Sequence, residues 1–328
     1  MQIQKIMELI KTRNAKRVVL LGHVNADPDA VCAVYATAHL LKSLQPTLEI
    51  EISAPQGPSR LSKALLNSLP AKLTMQPRIE SADVIVLLDT NTVQQLGNWS
   101  EPVRSSRAAL VVIDHHASHP ETEHLATLTV ADEHASSTCE IVYRLFKEAN
   151  VSLSHDVAKA LFLGIAFDSR HFVLASSSTF KIVADLVDAG VKAEEALSLL
   201  SLPMDLSERI ARLKASKRVK LVKVDGWLLA FSVVSAYQAS AARALISLGA
   251  HVAVVGGQKD DKIQVSMRAA QDFSEKTGVH LGRDVAKPLG EFLKGMGGGH
   301  SVSAGVNGFG DVEAGLKHSF RLLKSKLS

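Results

Sequence analysis

The sequence predicts an α/β protein with two domains: a parallel sheet covered by helices on both faces, then a smaller α/β domain. Three apolar runs in the first half consist almost entirely of Val, Ile, Leu and Ala, as is typical of parallel strands buried on both faces. Helical patterns separate these runs, as in a doubly wound sheet. Beyond residue 190, charged and apolar residues begin to alternate, which indicates strands with one buried face.

The first domain is predicted to cover residues 1–190. Its buried strands are predicted over 17–22, 82–88 and 108–113. Its helices are predicted over 28–42, 137–148 and 155–162. The first of these helices is apolar nearly all round, so we expect it inside the domain. Ser136, Ser137 and Thr138 are candidate N-caps of the second helix, because their side-chain oxygens can accept from free backbone amides.

The second domain is predicted over 217–328, after a helical linker over 191–216. Its strands are predicted over 218–223, 226–234, 251–257 and 262–269, with a helix over 239–248. A glycine-dense segment, GMGGGH, occupies residues 295–300. A final helix is predicted from an apolar stripe that consists of Leu316, Phe320, Leu323 and Leu327.

Composition excludes several classes of protein. With 46% hydrophobic and 21% charged residues among 328, the chain can bury a large core and is not intrinsically disordered. Its two cysteines, Cys32 and Cys139, cannot form a disulfide framework, which indicates a reducing, cytoplasmic compartment. No apolar run reaches the roughly 18 residues of a membrane helix, so no membrane partner is expected. A net charge of +4 is too small for a nucleic-acid coat protein.

Titratable residues follow the apolar runs at their carboxyl ends. They are His23, Asp27, Asp29, Asp89, Asp114, His115, His116 and, after a fourth apolar run, Asp168. The carboxyl ends of parallel strands form the ligand crevice of an open sheet. Carboxylates gathered there cannot all stay ionised without a counter-charge, and a pair of divalent cations provides one.

The types of donor atom limit which metal can bind and which reaction it can support. Carboxylates and imidazoles without a thiolate suit Mn²⁺, Mg²⁺ or Co²⁺ better than a structural zinc. Two such ions about 3.5–4 Å apart can activate a water molecule and hold a phosphoryl oxygen. Taken singly, Asp29 could instead cap the following helix and Asp168 could start a turn. Taken together, the residues predict a two-cation phosphoryl hydrolase.

These motifs resemble those of the DHH/DHHA1 phosphoesterase family, and the resemblance spans almost the whole chain. The first motif is His-x-x-x-Asp-x-Asp-Ala at residues 23–30, and the second is a strand that ends in Asp89. The third is Asp114-His115-His116, and the fourth is Gly-Ile-x-x-Asp-Ser at 164–169. In the second domain, Gly-Gly-Gly-His at 297–300 and Ala-Gly at 304–305 are similar to the DHHA1 signature.

The resemblance implies a role for each motif residue. One metal would bind His23, Asp27 and Asp89, and the second would bind Asp29, Asp89, His115 and Asp168, with Asp89 between them. His116 would contact the scissile phosphate or protonate the leaving group, and Asp114 would orient the histidines. This sequence differs from the pattern of the family at Cys32 and Ala33, where many relatives have Gly-Ser. It also differs at Arg170 and His171, where bacterial relatives often have a small residue.

Residues of the second domain are expected to hold the substrate. Glycines let the backbone approach a ligand closely, and an arginine fork can bind a phosphate through two hydrogen bonds. We therefore expect a phosphate or a 3′-terminal nucleotide to bind in a cleft between the two domains. The residues expected there are Arg268, Gly297, Gly298, Gly299 and His300.

The family branch that fits this layout is the nanoRNase (oligoribonuclease-like) branch. The predicted activity is metal-dependent hydrolysis of short RNA or DNA oligonucleotides to mononucleotides, with removal of the 3′ phosphate from 3′-phosphoadenosine 5′-phosphate as a second activity. Aromatic residues make up only 5% of the chain, which argues against stacking along a long strand. By resemblance, a homodimer through the first domain is also expected.

Four alternatives stay open at this point. Three are enzymes with the same metals: a RecJ-like single-strand exonuclease, a linear or cyclic dinucleotide phosphodiesterase and an inorganic pyrophosphatase. The fourth is a nucleic-acid-binding scaffold that keeps the fold without activity. The presence of every expected metal ligand argues against the scaffold, and the glycine-rich signature argues against the pyrophosphatase.

Overall fold

The computed structural model describes residues 1–201 and 204–327 and divides into two compact units, Met1–Leu202 and Pro203–Ser328. The predicted linker over 191–216 contains one helix of each unit, Ala193–Leu199 and Leu206–Lys217, and its residues 202 and 203 lie outside the described residues. No helix in the described ranges is both long enough and apolar enough to cross a membrane.

A parallel sheet of five strands forms the centre of the first unit in its described part. The strands are β1 (Arg17–Leu21), β2 (Glu49–Ser53), β3 (Val84–Leu88), β4 (Ala109–Asp114) and β5 (Leu128–Ala131). Their spatial order is β2-β1-β3-β4-β5, so the direction of winding reverses between β1 and β3. A ligand crevice forms at such a switch point, outside the carboxyl ends of the two strands.

Helices surround this sheet on both faces. They are α1 (Gln2–Thr12), α2 (Pro28–Leu44), α3 (Arg60–Leu66), α4 (Ser100–Arg104), α5 (Pro120–Leu125), α6 (Thr138–Ala149), α7 (His155–Asp168), α8 (Ser177–Asp188) and α9 (Ala193–Leu199). Helix α2 is buried almost all round, because it packs against both α6 and α7. The opposite face of the sheet is covered by α4 and the 3-10 helices Ile79–Ser81 and Val93–Trp99.

The second unit contains a mixed six-stranded sheet in the order β10-β11-β9-β8-β7-β6. Its strands are β6 (Lys220–Val224), β7 (Trp227–Val233), β8 (Val252–Lys259), β9 (Lys262–Ala269), β10 (Met296–Gly299) and β11 (Ser303–Phe309). Its helices are α10 (Leu206–Lys217), α11 (Gln238–Ser247), α12 (Gln271–Thr277), α13 (Lys287–Phe292) and α14 (Val312–Leu327), with a π-helical turn over Leu281–Ala286. Buried apolar clusters lie on both faces of this sheet.

The α/β class and the parallel sheet predicted from the sequence are confirmed. The three apolar runs are the central strands β1, β3 and β4, which are buried on both faces. The edge strands β2 and β5 were not predicted, because they are only partly buried and lack the continuous apolar pattern of a central strand.

Candidate metal centre

The predicted metal ligands of the first unit meet at the switch point of its sheet. His23 follows β1, Asp89 follows β3, and the Asp-His-His segment lies at the end of β4. Asp27 and Asp29 lie at the start of α2, which begins directly after the β1 loop. Asp168 differs from the rest because it is the last residue of helix α7 rather than the end of a strand.

Three groups of donor side chains in the described residues bring their oxygen and nitrogen atoms within 4.8 Å of one another. They are His23-Asp27-Asp89, Asp29-Asp89-His115-Asp168 and Asp89-Asp114-His115-His116. Asp89 belongs to all three. The first two groups are the ligand sets that the sequence analysis expected for two cations, and a carboxylate shared between them can neutralise part of the charge of both ions.

The imidazole of His23 is oriented by its own backbone. Its Nδ1 lies 2.8 Å from the carbonyl oxygen of Val24, and since a carbonyl only accepts, Nδ1 carries the proton. Nε2 therefore faces the carboxylates, 3.8 Å from an oxygen of Asp27 and 3.8 Å from an oxygen of Asp89. A backbone partner at the second ring nitrogen is the usual arrangement of a metal-ligating histidine.

His115 repeats this arrangement in the second group. Its Nδ1 lies 3.3 Å from the carbonyl oxygen of Ala135, and its Nε2 lies 3.0 Å from Asp168 Oδ2 and 3.5 Å from Asp89 Oδ1. Nε2 is buried, yet the geometry of its contacts is not that of a hydrogen bond to any described residue. A buried nitrogen that lies within 3.0 and 3.5 Å of two carboxylates fits donors arranged around a common cation.

Asp29 is fully buried and is held by the start of helix α6. Its two oxygens accept from the backbone amides of Thr138, at 2.7 Å, and Cys139, at 3.0 Å. The free amides and the dipole at a helix N-terminus favour a negative charge there. A Cβ added to Gly164 of α7 would lie 2.7 Å from the Asp29 carboxylate, so only glycine leaves room for it. The helix that follows Asp29 is instead capped by Asp27, which accepts from Ala30 N at 3.1 Å.

Asp89 occupies a backbone conformation that few residues adopt. Its φ is +55°, in the left-handed region, where aspartate is better tolerated than most side chains. Its carboxylate is almost fully buried and accepts from the hydroxyl of Thr138 at 3.1 Å. This role of Thr138 was not predicted, because a Ser-Ser-Thr run before a helix indicates N-caps or donors to a substrate phosphate equally well. The observed N-cap is Ser137, which accepts from Glu140 N at 3.1 Å.

The electrostatics of the metal-free site are those of a crowded set of buried carboxylates. Burial and the neighbouring acids raise the pKa of Asp29 well above its usual range, and burial raises the pKa of Asp89. Burial alone would lower the pKa of His23, but Asp27 and Asp89 outweigh it and raise that pKa to about 9. In the same way Asp168 and Asp89 overcome burial and raise the pKa of His115 to about 11. Two protonated histidines thus supply the positive charge that cations would bring.

His116 and Asp114 form a pair of their own beside these groups. Asp114 Oδ1 accepts from both the backbone amide and Nδ1 of His116, each at 2.8 Å. The hydrogen bond to Asp114 raises the pKa of His116 against the effect of burial. Half of the His116 side chain is exposed, and its Nε2 is left without a partner among the described residues. This nitrogen can hold a proton for a leaving group.

A left-handed turn directly follows Asp168. Arg170, His171 and Phe172 have φ values of +52°, +55° and +69°, in the region that favours glycine. The turn is closed by hydrogen bonds from the backbone amide of His171 to Ala166 O, at 2.7 Å, and from that of Phe172 to the Ser169 hydroxyl, at 3.1 Å. The strain falls on the two positions, Arg170 and His171, that the sequence analysis names as departures from the family pattern.

In the second unit, Arg268 lies on β9, and β11 separates it from the glycine-rich strand β10. It pairs with Ser303 across β9 and β11, next to the turn that contains His300. Its guanidinium donates to the Met267 carbonyl at 2.8 Å, and burial together with Arg243 lowers its pKa. Within the described ranges neither arginine has a carboxylate partner. This end of the sheet can therefore bind an anion.

The three glycines serve different purposes. Gly297 lies so close to the carbonyl of Ala286 that no side chain fits, and Gly299 has a φ of +140° and packs against Ser303 and Ala304. These two are explained by packing within the unit. A Cβ added to Gly298 would meet nothing within 4 Å, so this backbone is open to a ligand. His300 is exposed beside it.

Fold and donor set together define a metal-dependent phosphoesterase. The family model of the DHH family, N-terminal domain, matches residues 17–165. An uncharacterized protein of Methanocaldococcus jannaschii is 34% identical over 304 residues, which cover 92% of this chain and 90% of that protein. The chain belongs to the DHH family.

Two further relatives bear on chemistry and fold. A probable manganese-dependent inorganic pyrophosphatase of Streptococcus thermophilus is 29% identical over 220 residues, or 64% of this chain and 68% of that protein. An exopolyphosphatase-related protein from Bacteroides fragilis has the same fold, with a TM-score of 0.68 at 19% identity over 99% of this chain and 96% of that one. The expected divalent-cation cofactor is confirmed by these donor groups and by the manganese-dependent relative. The DHHA1 character of the second unit stays a prediction.

We expect Asp89→Asn to lower Mn²⁺ affinity by at least about 100-fold, because Asp89 is shared by every donor group. Calorimetric titration should show fewer ions bound, whereas Asp188→Asn, at an exposed position of α8, should bind Mn²⁺ like the wild type. The metal-free Asp89→Asn protein should also melt at a higher temperature than metal-free wild type, because a buried charge is removed. Unchanged Mn²⁺ binding would exclude this centre.

We expect Mn²⁺ binding to release protons and to strengthen as the pH rises from 6 to 9. His23 and His115, with pKa values of about 9 and 11, are protonated at pH 7 in the metal-free protein, and each must lose a proton before Nε2 can bind a cation. Calorimetry in buffers with different ionisation enthalpies measures this release, and His23→Gln should reduce it. Equal affinity at pH 6.5 and pH 8.5, without proton release, would contradict the assignment.

Proposed function

We propose that this protein is a two-cation phosphodiesterase that cleaves very short oligonucleotides to mononucleotides. The observation that carries the proposal is the pair of donor groups that share Asp89, with the His116-Asp114 pair at their edge. His23, Asp27 and Asp89 would hold one ion, and Asp29, Asp89, His115 and Asp168 the other. The manganese dependence of the related pyrophosphatase supports Mn²⁺ as the metal.

Cations held by these residues would lower the pKa of a water molecule and offset charge on the phosphoryl oxygens. The side chains of the protein orient and supply the proton for the leaving group. Asp114 fixes the tautomer of His116, so that Nδ1 is committed to the carboxylate and Nε2 can give a proton to the departing oxygen. The hydrogen bond to Asp114 raises the pKa of His116, which favours the protonated ring.

A phosphate anchor in the second unit supports a short substrate. Arg268 and Arg243 offer two guanidinium groups without a carboxylate partner among the described residues, and Gly298 leaves its backbone open beside the exposed His300. These groups would hold one terminal phosphate or nucleotide. One anchor and few aromatic residues suit a di- or trinucleotide better than a long strand that needs a series of stacking sites.

Pyrophosphate hydrolysis is a second candidate, favoured by one observation. The Streptococcus thermophilus relative, named as a probable inorganic pyrophosphatase, covers 64% of this chain. A pyrophosphate would use the same donor groups and the same anion-binding arginines. Pyrophosphate has no sugar or base. A preference for the dinucleotide over pyrophosphate would therefore show that the second unit contributes to substrate recognition.

We expect the full chain with Mn²⁺ to release mononucleotides from a labelled RNA dinucleotide with a kcat/KM at least about tenfold above that for a 40-nucleotide strand or for pyrophosphate. Arg268→Gln should raise KM for the dinucleotide by about 10- to 100-fold with little change in kcat, because a charged hydrogen bond to the phosphate is lost. Lys276→Gln, at an exposed position of α12, is the matched control.

Three outcomes would decide against the proposal. Faster hydrolysis of pyrophosphate than of the dinucleotide would establish the second candidate. A preference for the 40-nucleotide strand would indicate an exonuclease of long substrates. Dinucleotide cleavage that persists after exhaustive chelation would remove the cations from the reaction altogether.

A further inference from the structure

A small cavity lies beside Asp114 and the histidine that it orients. Its volume, as space open to the centre of a water molecule, is about 10 Å³, close to the minimum for one water. Asp114, His116, His119 and Thr122 are among its lining residues. The cavity therefore adjoins the His116-Asp114 pair of the proposed function.

Three buried polar atoms of the cavity lining have no hydrogen-bond partner among the described residues. They are Asp114 Oδ2, His119 Nδ1 and Thr122 Oγ1, out of seven such atoms in the described part of the chain. A buried polar atom left unpaired costs free energy, so such atoms are rare and call for an explanation. Three of them around one water-sized space share a single explanation.

We propose that this cavity binds one water molecule, which joins Asp114 to His119 and Thr122. A carboxylate oxygen only accepts, so the water donates to Asp114 Oδ2. The Thr122 hydroxyl and the His119 ring nitrogen can each donate or accept, and they complete a set of three partners, the usual number for a buried water. His119 and Thr122 are thereby positioning residues for the reaction.

The hydrogen bonds of Asp114 show what the water would do. Oδ1 is occupied by the backbone amide and the ring of His116, so Oδ2 alone is free to fix the plane of the carboxylate. With Oδ2 held, the carboxylate cannot rotate, and the His116 ring keeps its orientation. The catalytic effect rests on the proposed function, whereas the binding of the water does not.

The far wall of the cavity is firmly attached to the sheet. Helix α5, which contains Thr122, is tied to α4 by an ion pair between Arg104 Nε and Glu121 Oε1 at 2.8 Å. The loop before it is tied by Asn91, whose side-chain amide donates to the Ala117 carbonyl at 3.1 Å. Thr122 is itself almost fully buried. These two contacts hold helix α5 and the loop before it against neighbouring elements.

A crystal structure of the full chain at high resolution tests the binding of water directly. We expect one density peak within about 2.6–3.2 Å of Asp114 Oδ2, Thr122 Oγ1 and His119 Nδ1. A direct hydrogen bond between Thr122 and Asp114, or a cavity without density, would overturn the proposal. This result is independent of any activity.

Thr122→Val and Thr122→Ser test the positioning role. The valine has the shape of threonine without its hydroxyl, and the serine restores the hydroxyl. With Mn²⁺ and bis(p-nitrophenyl) phosphate, we expect Thr122→Val to lower kcat about fivefold at unchanged KM and Thr122→Ser to recover kcat to within about twofold. Thr37→Val removes another buried hydroxyl without a described partner, in helix α2 away from the cavity, and should change neither constant.

The exchange rate of the His116 Nδ1 proton, measured by NMR on the metal-free protein, separates the two proposals. Thr122→Val should speed this exchange about fivefold, and Thr122→Ser should not. If wild type cleaves no phosphodiester, the proposed function fails while the exchange still tests the cavity. If Thr122→Val changes neither kcat nor exchange, the positioning role is wrong. Should that variant not fold, His119→Phe and His119→Asn make the same comparison, since asparagine can replace Nδ1.

Discussion

The mutual repulsion of buried carboxylates is the constraint on which the rest of this protein depends. Asp89 and Asp29 lie almost wholly out of water. Burial and the charge of Asp89 raise the pKa of Asp29, and burial and other neighbouring carboxylates raise the pKa of Asp89. Without cations, His23 and His115 must stay protonated to offset that charge. Such an arrangement weakens the fold unless something of opposite charge binds, so the site is built for binding rather than for stability.

The fold meets this constraint with backbone groups and histidines rather than with lysine or arginine side chains. The amides at the start of α6 bond both oxygens of Asp29, and carbonyl groups fix the rings of His23 and His115 from behind. The left-handed backbone at Asp89 adds strain of about 1–3 kcal/mol. This conformation persists only because the surrounding strands hold the backbone in place. No lysine or arginine in the described residues pairs with these carboxylates, which leaves their outward oxygens free for cations.

The sequence was sufficient to predict the central strands and the donor residues, because both follow from simple patterns. A strand buried on both faces must be apolar throughout, and residues after parallel strands must share an edge. Contacts that depend on helix packing could not be predicted. Thr138 reaches Asp89 only through the placement of α6, and Gly297 is fixed by its closeness to Ala286, which no local pattern encodes. The cavity behind Asp114 likewise depends on where α5 packs.

Anomalous diffraction from crystals soaked in Mn²⁺ tests the central claim most directly, because it locates the ions without reference to activity. The account predicts two strong peaks about 3.5–4 Å apart. Asp89 should lie between them, with His23 and Asp27 beside one and His115 and Asp168 beside the other. A single peak, or peaks remote from Asp89, would mean that the carboxylates are tolerated for some other reason, and the account would be wrong.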